Sequence, residues 1–220
     1  MTNEKMSRRK FLKTAGIAAG ATIFACSGLT YAGTRQPSVD MYEGHFEKGE
    51  SMNKKVLVAY ASRAGSTSEI AKAIGEELTK AGASVDVLNV KSVKDISGYS
   101  AVVIGSAIRM GSWVPEAVSF VENNTAALKA MPTAFFTACL SVTEKDPTKQ
   151  AEVTTYMDKP KAFLTPTAEA TFAGVMDPDK IKWIERQLMK AMKTEVGDFR
   201  DWDAINNWAK GLPVKLSLTA

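Results

Sequence analysis

The chain has 220 residues, 45% of them hydrophobic and 24% charged, which gives room and apolar content for one globular domain with appendages. The formal net charge is +4, but residues 1–32 hold five of the 28 basic residues (Lys5, Arg8, Arg9, Lys10, Lys13) against one of the 24 acidic ones (Glu4), leaving 23 of each sign in the remainder. That balance gives no reason to expect a nucleic-acid partner. Two cysteines without a CxxC (Cys26 and Cys139) and a single histidine, His45, leave a zinc site or a serine–histidine triad without its parts, so no metal site is expected.

At the N-terminus, Ser7-Arg8-Arg9-Lys10-Phe11-Leu12-Lys13 precedes a mildly apolar run from Thr14 to Ala25, too short for a comfortable membrane span. The twin arginines with Phe11 and Leu12 resemble a twin-arginine translocation signal. The resemblance implies export through the twin-arginine translocase, to the periplasm or the outer face of the cytoplasmic membrane. That route carries folded proteins, often with a cofactor already inserted. A chance basic start before a signal anchor is the alternative. Thr30-Tyr31-Ala32 offers a small-x-small cleavage site, and Ile23-Phe24-Ala25-Cys26 an imperfect lipoprotein box. Cleavage near Ala32 is expected; lipidation at Cys26 and retention of the uncut segment stay open. Residues 1–32 are thus read as a signal, 33–53 as a polar, Gly-containing linker, and 54–220 as the domain.

Within the domain, Lys55–Tyr60 is an apolar run bounded by polar residues, as for a buried parallel strand. Ser66–Lys80 follows with Ile70, Ala71, Ile74 and Leu78 at helical spacing, ending at Gly82. Val85–Val90 and Ala101–Gly105 read as the second and third strands. A helix over Pro115–Asn123 comes next, with proline in its first turn. Thr133–Ala138 and Thr171–Val175 read as the fourth and fifth strands, and helices over Asp179–Lys193 and Asp201–Lys210 close the chain. Strands and helices in alternation predict an α/β fold with a doubly wound parallel sheet, and a ligand at the carboxyl ends of its strands.

The first such end is Ser62-Arg63-Ala64-Gly65-Ser66-Thr67, which leads directly into a helix. A helix start presents unpaired amides and the positive end of the dipole, so it suits a phosphate with little help from lysine or arginine. Gly65 permits close backbone approach, and Ser62, Ser66 and Thr67 add hydroxyls. The same residues would also make an ordinary helix cap, and spacing alone does not choose between the two. Neither a Walker loop nor a GxGxxG motif is present, which argues against a resident dinucleotide.

Tyr60-x-Ser62-x-x-Gly65-x-Thr67-x-x-x-Ala71 after an apolar strand resembles the phosphate signature of the flavodoxin family. The resemblance implies a flavodoxin-like five-stranded sheet in the order 2-1-3-4-5 with helices on both faces, and FMN bound through Ser62–Thr67. It further implies that the loop Ser106-Ala107-Ile108-Arg109-Met110-Gly111 with Trp113 lies against the isoalloxazine ring. There Ile108, Met110 and Trp113 are candidates to pack on it, although Trp113 is equally suited to the core. Cys139-Leu140-Ser141 would form the third loop, with Cys139 more in keeping with a buried small residue than with a redox centre. A guanidinium at Arg109 near the ring would stabilise a reduced, anionic flavin and favour two-electron chemistry; an exposed, solvated Arg109 is the alternative.

A narrower set, Ile104-Gly105-x-x-Ile108-Arg109-x-Gly111, Met131-Pro132-x-Ala134-Phe135, Phe172-Ala173-Gly174-Val175, Lys182-Trp183 and Asp201-Trp202-Asp203-x-Ile205, is similar to the menaquinone-dependent protoporphyrinogen IX dehydrogenase family. That family oxidises protoporphyrinogen IX in haem biosynthesis through FMN and passes the electrons to a membrane quinone. The similarity implies an oxidoreductase with a quinone and a tetrapyrrole as partners. It gives Arg109 a catalytic place as partner of a substrate propionate or of the reduced flavin, and makes residues 141–168 the insertion over the substrate side. In the helix over 179–193, Ile181, Ile184, Leu188 and Met192 form a stripe beside several basic residues. Such a stripe suits packing on the sheet or contact with a membrane surface. Two other functions remain open: an exported flavodoxin-like electron-transfer protein without its own organic substrate, and a flavin-binding structural or sensory domain.

Overall fold

The computed structural model describes residues 37–47, 54–191 and 194–219, so the segment read as an export signal lies outside the described residues. Ser38–Lys180 together with the residues from Glu195 onward form one compact unit, and Ile181–Thr194 belong to another. Each is described by itself.

In the larger unit five strands run parallel: β2 (Lys55–Ala61), β3 (Ser84–Asn89), β4 (Ala101–Arg109), β6 (Thr133–Ala138) and β7 (Ala168–Phe172). Their order is β3-β2-β4-β6-β7, the flavodoxin-like order expected from the sequence. Strand alternation explains the two-sided core. Val56, Val58 and Tyr60 point to one face, against Ile70, Ile74 and Leu78 of α1 (Ser66–Lys80) and Ile205 and Leu212 of α7 (Trp202–Lys215). Leu57, Ala59 and Ala61 point to the other, against Ala117, Phe120 and Val121 of α2 (Pro115–Asn123) and Leu128 of α3 (Thr125–Lys129). Burying each large aliphatic side chain contributes about 1.5–3 kcal/mol, so this double core carries the fold.

Several elements differ from the sequence expectation, among them the fifth strand, expected over Thr171–Val175, which begins at Ala168 and ends at Phe172. Residues 38–47, part of the stretch read as a linker, carry a strand: β1 (Gly44–Phe46) adds to β3 antiparallel at the edge of the sheet. The third strand continues to Arg109 and turns back as β5 (Ser112–Trp113), through Met110 and Gly111 at φ 52° and 71°. Two successive positive φ values make the tight hairpin turn that matches strand twist. Residues 141–168, read as an insertion, hold two short helices, α4 (Pro147–Thr155) and α5 (Asp158–Lys161), and Met157 and Leu164 of this segment reach the second core. β8 (Val175–Met176) and β9 (Gly197–Asp198) pair as a separate two-stranded ribbon.

In the smaller unit, the helix expected over 179–193 is α6 (Trp183–Ala191). Ile184 is 56% and Leu188 61% exposed. Among the described residues no helix is long and apolar enough to cross a membrane.

Asp86 ties the edge of the sheet together. Its carboxylate takes Lys55 Nζ of β2 at 2.8 Å, the Tyr99 hydroxyl at 2.6 Å and His45 Nδ1 of β1 at 2.6 Å. Burial pushes this carboxyl up, but the hydrogen bonds from Lys55, Tyr99 and His45 outweigh it and hold Asp86 below the ordinary aspartate range. The stability this contributes is therefore complete above the unfolded value and is lost as pH falls through the lower, folded one. Asp86→Asn is expected to cost about 1–2 kcal/mol at pH 7. In thermal melts by circular dichroism the gap to the wild type should close below roughly pH 4. A gap that persists unchanged in acid would show that the charge is not what binds the edge.

Candidate functional site

The parallel register sets the site. Ala61 at the end of β2 lies beside Ser106 of β4, and Ala107 of β4 lies beside Ala138 of β6. The loops that follow, 62–65, 110–111 and 139–141, therefore leave neighbouring strand ends at one level, which is where a doubly wound sheet takes its ligand. The structure brings together the three loops that the sequence singled out.

The first loop is held from within. Ser62 Oγ accepts from the Gly65 amide at 3.0 Å, and Gly65 at φ 92° turns its carbonyl into the helix, where it accepts from Ser68 N at 2.9 Å and Glu69 N at 3.3 Å. No side chain caps α1, so the loop is not an ordinary serine–threonine cap. The first helical amides have no intrahelical acceptor and point out of the helix start. Thr67 is fully buried, and its Oγ1 has no hydrogen-bond partner among the described residues. A buried hydroxyl left unpaired costs about 1–3 kcal/mol, and a phosphate oxygen at this helix start would remove that cost. The residues present thus fit a phosphate group.

Neighbouring side chains fix this loop to the rest of the site. Arg63 Nη2 bonds Glu116 Oε2 at 2.9 Å, and Lys91 Nζ reaches Glu116 Oε1 at 3.2 Å, tying the first loop to the start of α2. Burial raises the Glu116 carboxyl, but the helix-start amide, Lys91 and Arg63 more than offset it, and the group sits below the ordinary glutamate range. Arg200, which the sequence reading passed over, is the other tie. Its side chain is 8% exposed and grips Asp198 through Nε at 2.8 Å and Nη2 at 2.6 Å, bonds Glu69 through Nη1, and stacks 4.4 Å from the Trp202 ring. Glu69 is in the first turn of α1, where its charge would repel an anion; Arg200 neutralises it. The signal in the sequence was an arginine between acids, Asp198-Phe199-Arg200-Asp201, and nothing local pointed to its second partner, Glu69.

In the second loop Trp113 takes the core alternative. Trp113 is 2% exposed, donates its indole N–H to Thr137 Oγ1 at 2.8 Å and packs on Phe135 at 5.0 Å. It is a core residue beneath the loop, because the β4–β5 hairpin turns it inward. Met110, at the hairpin tip, is 97% exposed and touches no core. Ser106 is buried and committed to the backbone, donating to Ala107 O at 2.8 Å and accepting from Val114 N at 3.1 Å, so it shapes the loop rather than offering a free donor. Ala107 and Ile108 are half-buried and Arg109 and Gly111 exposed at the strand end. In the third loop, Cys139 is buried, and burial pushes its thiol up, which makes it a poor nucleophile. Leu140 and Ser141 open a 3-10 turn and are half-buried.

Residues 57–203 match the model of the flavodoxin domain. The chain is 30% identical over 172 residues to protoporphyrinogen IX dehydrogenase (quinone) of Escherichia coli strain K12, covering 71% of this chain and 93% of that protein. It is 26% identical to the protein of the same name from Leishmania major, covering 72% and 74%. A solved flavodoxin from the domain Archaea is similar with TM-score 0.46 at 16% identity, over 74% of this chain and 99% of that one. The chain belongs to the flavodoxin domain family, among the relatives of the protoporphyrinogen IX dehydrogenases. It is therefore a flavodoxin-fold flavoprotein of the oxidoreductase class.

An alanine at Gly65 would hold φ 92° only with strain, and its Cβ would come within 3.0 Å of Val39 Cγ1. Gly65→Ala is expected to cost about 1–2 kcal/mol. The thermal midpoint should fall by about 3–6 °C. An unchanged midpoint would mean that the loop relaxes freely.

Proposed function

We propose that the protein is an FMN-dependent dehydrogenase that oxidises a protoporphyrinogen-type tetrapyrrole in two-electron steps, each reducing one quinone to the quinol. The observation that carries the reading is the 30% identity to a quinone-dependent protoporphyrinogen IX dehydrogenase across 93% of that protein's length. The site supports FMN in particular, because the uncapped start of α1 and the buried Thr67 hydroxyl suit a phosphate.

FMN, when bound, supplies the redox chemistry; the chain positions it and shapes what reaches it. Ser62–Thr67 hold the phosphate through amides and the Thr67 hydroxyl. The 106–111 and 139–141 loops border the ring at the ends of β4 and β6. Arg109, exposed at the end of β4, is the cation that holds a substrate propionate or balances negative charge on the reduced cofactor. The quinone side is supported by α6, whose Trp183, Ile184 and Leu188 are exposed on a helix that also carries Arg186 and Lys190. Such a helix suits the surface of an anionic bilayer.

Anaerobic mixing of the FMN-loaded protein with protoporphyrinogen IX and a menaquinone analogue tests the reading by porphyrin fluorescence. Fluorescence should appear rapidly only when protein and quinone are both present, and faster with the quinone in anionic than in neutral vesicles. No acceleration, with flavin still bound, would favour an electron-transfer protein without its own organic substrate. We also propose export by the twin-arginine route, on the strength of Arg8, Arg9, Phe11 and Leu12. The mature chain should then begin at Gly33; an acylated Cys26 or an intact N-terminus would overturn cleavage there.

A further inference from the structure

Ahead of the matched domain, residues 38–47 cross the edge of the sheet and end over the phosphate loop. β1 pairs with β3 in antiparallel register, Phe46 opposite Val85 and Gly44 opposite Val87, so the chain N-terminal to it runs towards the carboxyl end of the sheet. There it meets the loop: the Cβ position at Gly65 lies 3.0 Å from Val39 Cγ1 and 3.6 Å from the Asp40 carbonyl oxygen. Between these points it is fastened residue by residue. The buried Tyr60 hydroxyl donates to the Tyr42 carbonyl at 2.8 Å. Glu43 Oε1 accepts from Asn89 N, the last residue of β3, at 2.9 Å and from Ser92 Oγ beyond it at 2.7 Å. Burial, with the charge of Glu43, pushes the Tyr60 phenol up to about 12, so this donor stays protonated at any ordinary pH.

The same segment also grips α1, the helix whose start holds the phosphate loop. Lys72 Nζ lies 5.1 Å over the Tyr42 ring, and Tyr42 stacks on Phe46 at 5.8 Å. The Phe46 ring reaches to 3.3 Å of the Cβ position at Gly75, an approach that a larger residue in α1 would block. Met41, Tyr42 and Phe46 all pack against the buried core on this face.

We propose that residues 38–43 form the outer wall of the phosphate site, a strap that holds the Gly65 loop in its anion-binding conformation and slows release of the flavin mononucleotide. The inference rests on the FMN reading above. Val39 and Tyr60 are positioning residues: Val39 bears on the loop from outside, and Tyr60 fastens the strap behind it. Because coupling between strap and cofactor is reciprocal, a strap that stabilises bound FMN must itself be stabilised by FMN. The effect acts through the phosphate, so riboflavin, which lacks it, should be indifferent to the strap.

The test uses the full chain as wild type, Val39→Gly and Tyr60→Phe, with FMN and riboflavin as the probes. FMN dissociation, followed by recovery of flavin fluorescence, should be about 5–10-fold faster in each variant, while riboflavin dissociation stays within twofold of the wild type. Hydrogen exchange at residues 38–43 in the wild type should slow on adding FMN and not on adding riboflavin. Equal FMN release from wild type and both variants would overturn the strap's role. So would equal acceleration of FMN and riboflavin, which would mark a general loosening of the domain. A wild type that binds no FMN would instead remove the reading on which the strap depends.

Discussion

A helix that begins without a side-chain cap leaves its first amides to be satisfied by something outside the helix. α1 begins in this way, at a glycine in the left-handed region, and the surrounding structure is arranged to keep it so. Ser62 fastens the loop from the strand side, the strap bears on Gly65 from outside, and Arg200 neutralises the one acid in the first turn. Gly174, past the end of β7, comes close enough that a Cβ there would lie 3.2 Å from Ser66 Oγ. Four separate stretches of chain thus converge on one helix start. Preorganisation of this kind means that little is left to order when an anion arrives.

The electrostatics are correspondingly economical. No lysine or arginine has to point at the phosphate, because the dipole and the backbone amides provide the field. The charged side chains nearby are engaged with each other: Arg63 and Lys91 with Glu116, Arg200 with Glu69 and Asp198. They tie loops together and remove stray charge rather than bind ligand. Arg109 lies exposed at the end of β4, where the second loop begins.

Much of the fold was legible in the sequence, for identifiable reasons. The β2 and β6 runs are continuous apolar stretches of strand length, and Ile70, Ile74 and Leu78 repeat at helical spacing, so periodicity located the sheet and α1 directly. β1 was not legible. Gly44-His45-Phe46 is too short to show a period, and it is a strand only because β3 offers it an edge and Asp86 a partner for His45. The phosphate loop was readable because its chemistry is contiguous. The second loop was readable in place but not in orientation. Whether Trp113 faces flavin or core depends on the β4–β5 hairpin, and the residue that receives its indole N–H, Thr137, lies 24 positions away. The strap and the tie from Arg200 to Glu69 were missed for the same reason, since Gly65 and Glu69 are distant in the chain from what holds them.

The central claim is that the start of α1 is a phosphate site and that the cofactor is held chiefly through it. Titration of the flavin-free protein with FMN and with riboflavin under the same conditions tests this most directly. The account predicts that FMN binds at least roughly 100-fold more tightly, the scale expected for charge-assisted hydrogen bonds from preorganised amides and a hydroxyl. Equal affinity for the two flavins would contradict it, and would place the binding energy in the ring-side loops instead.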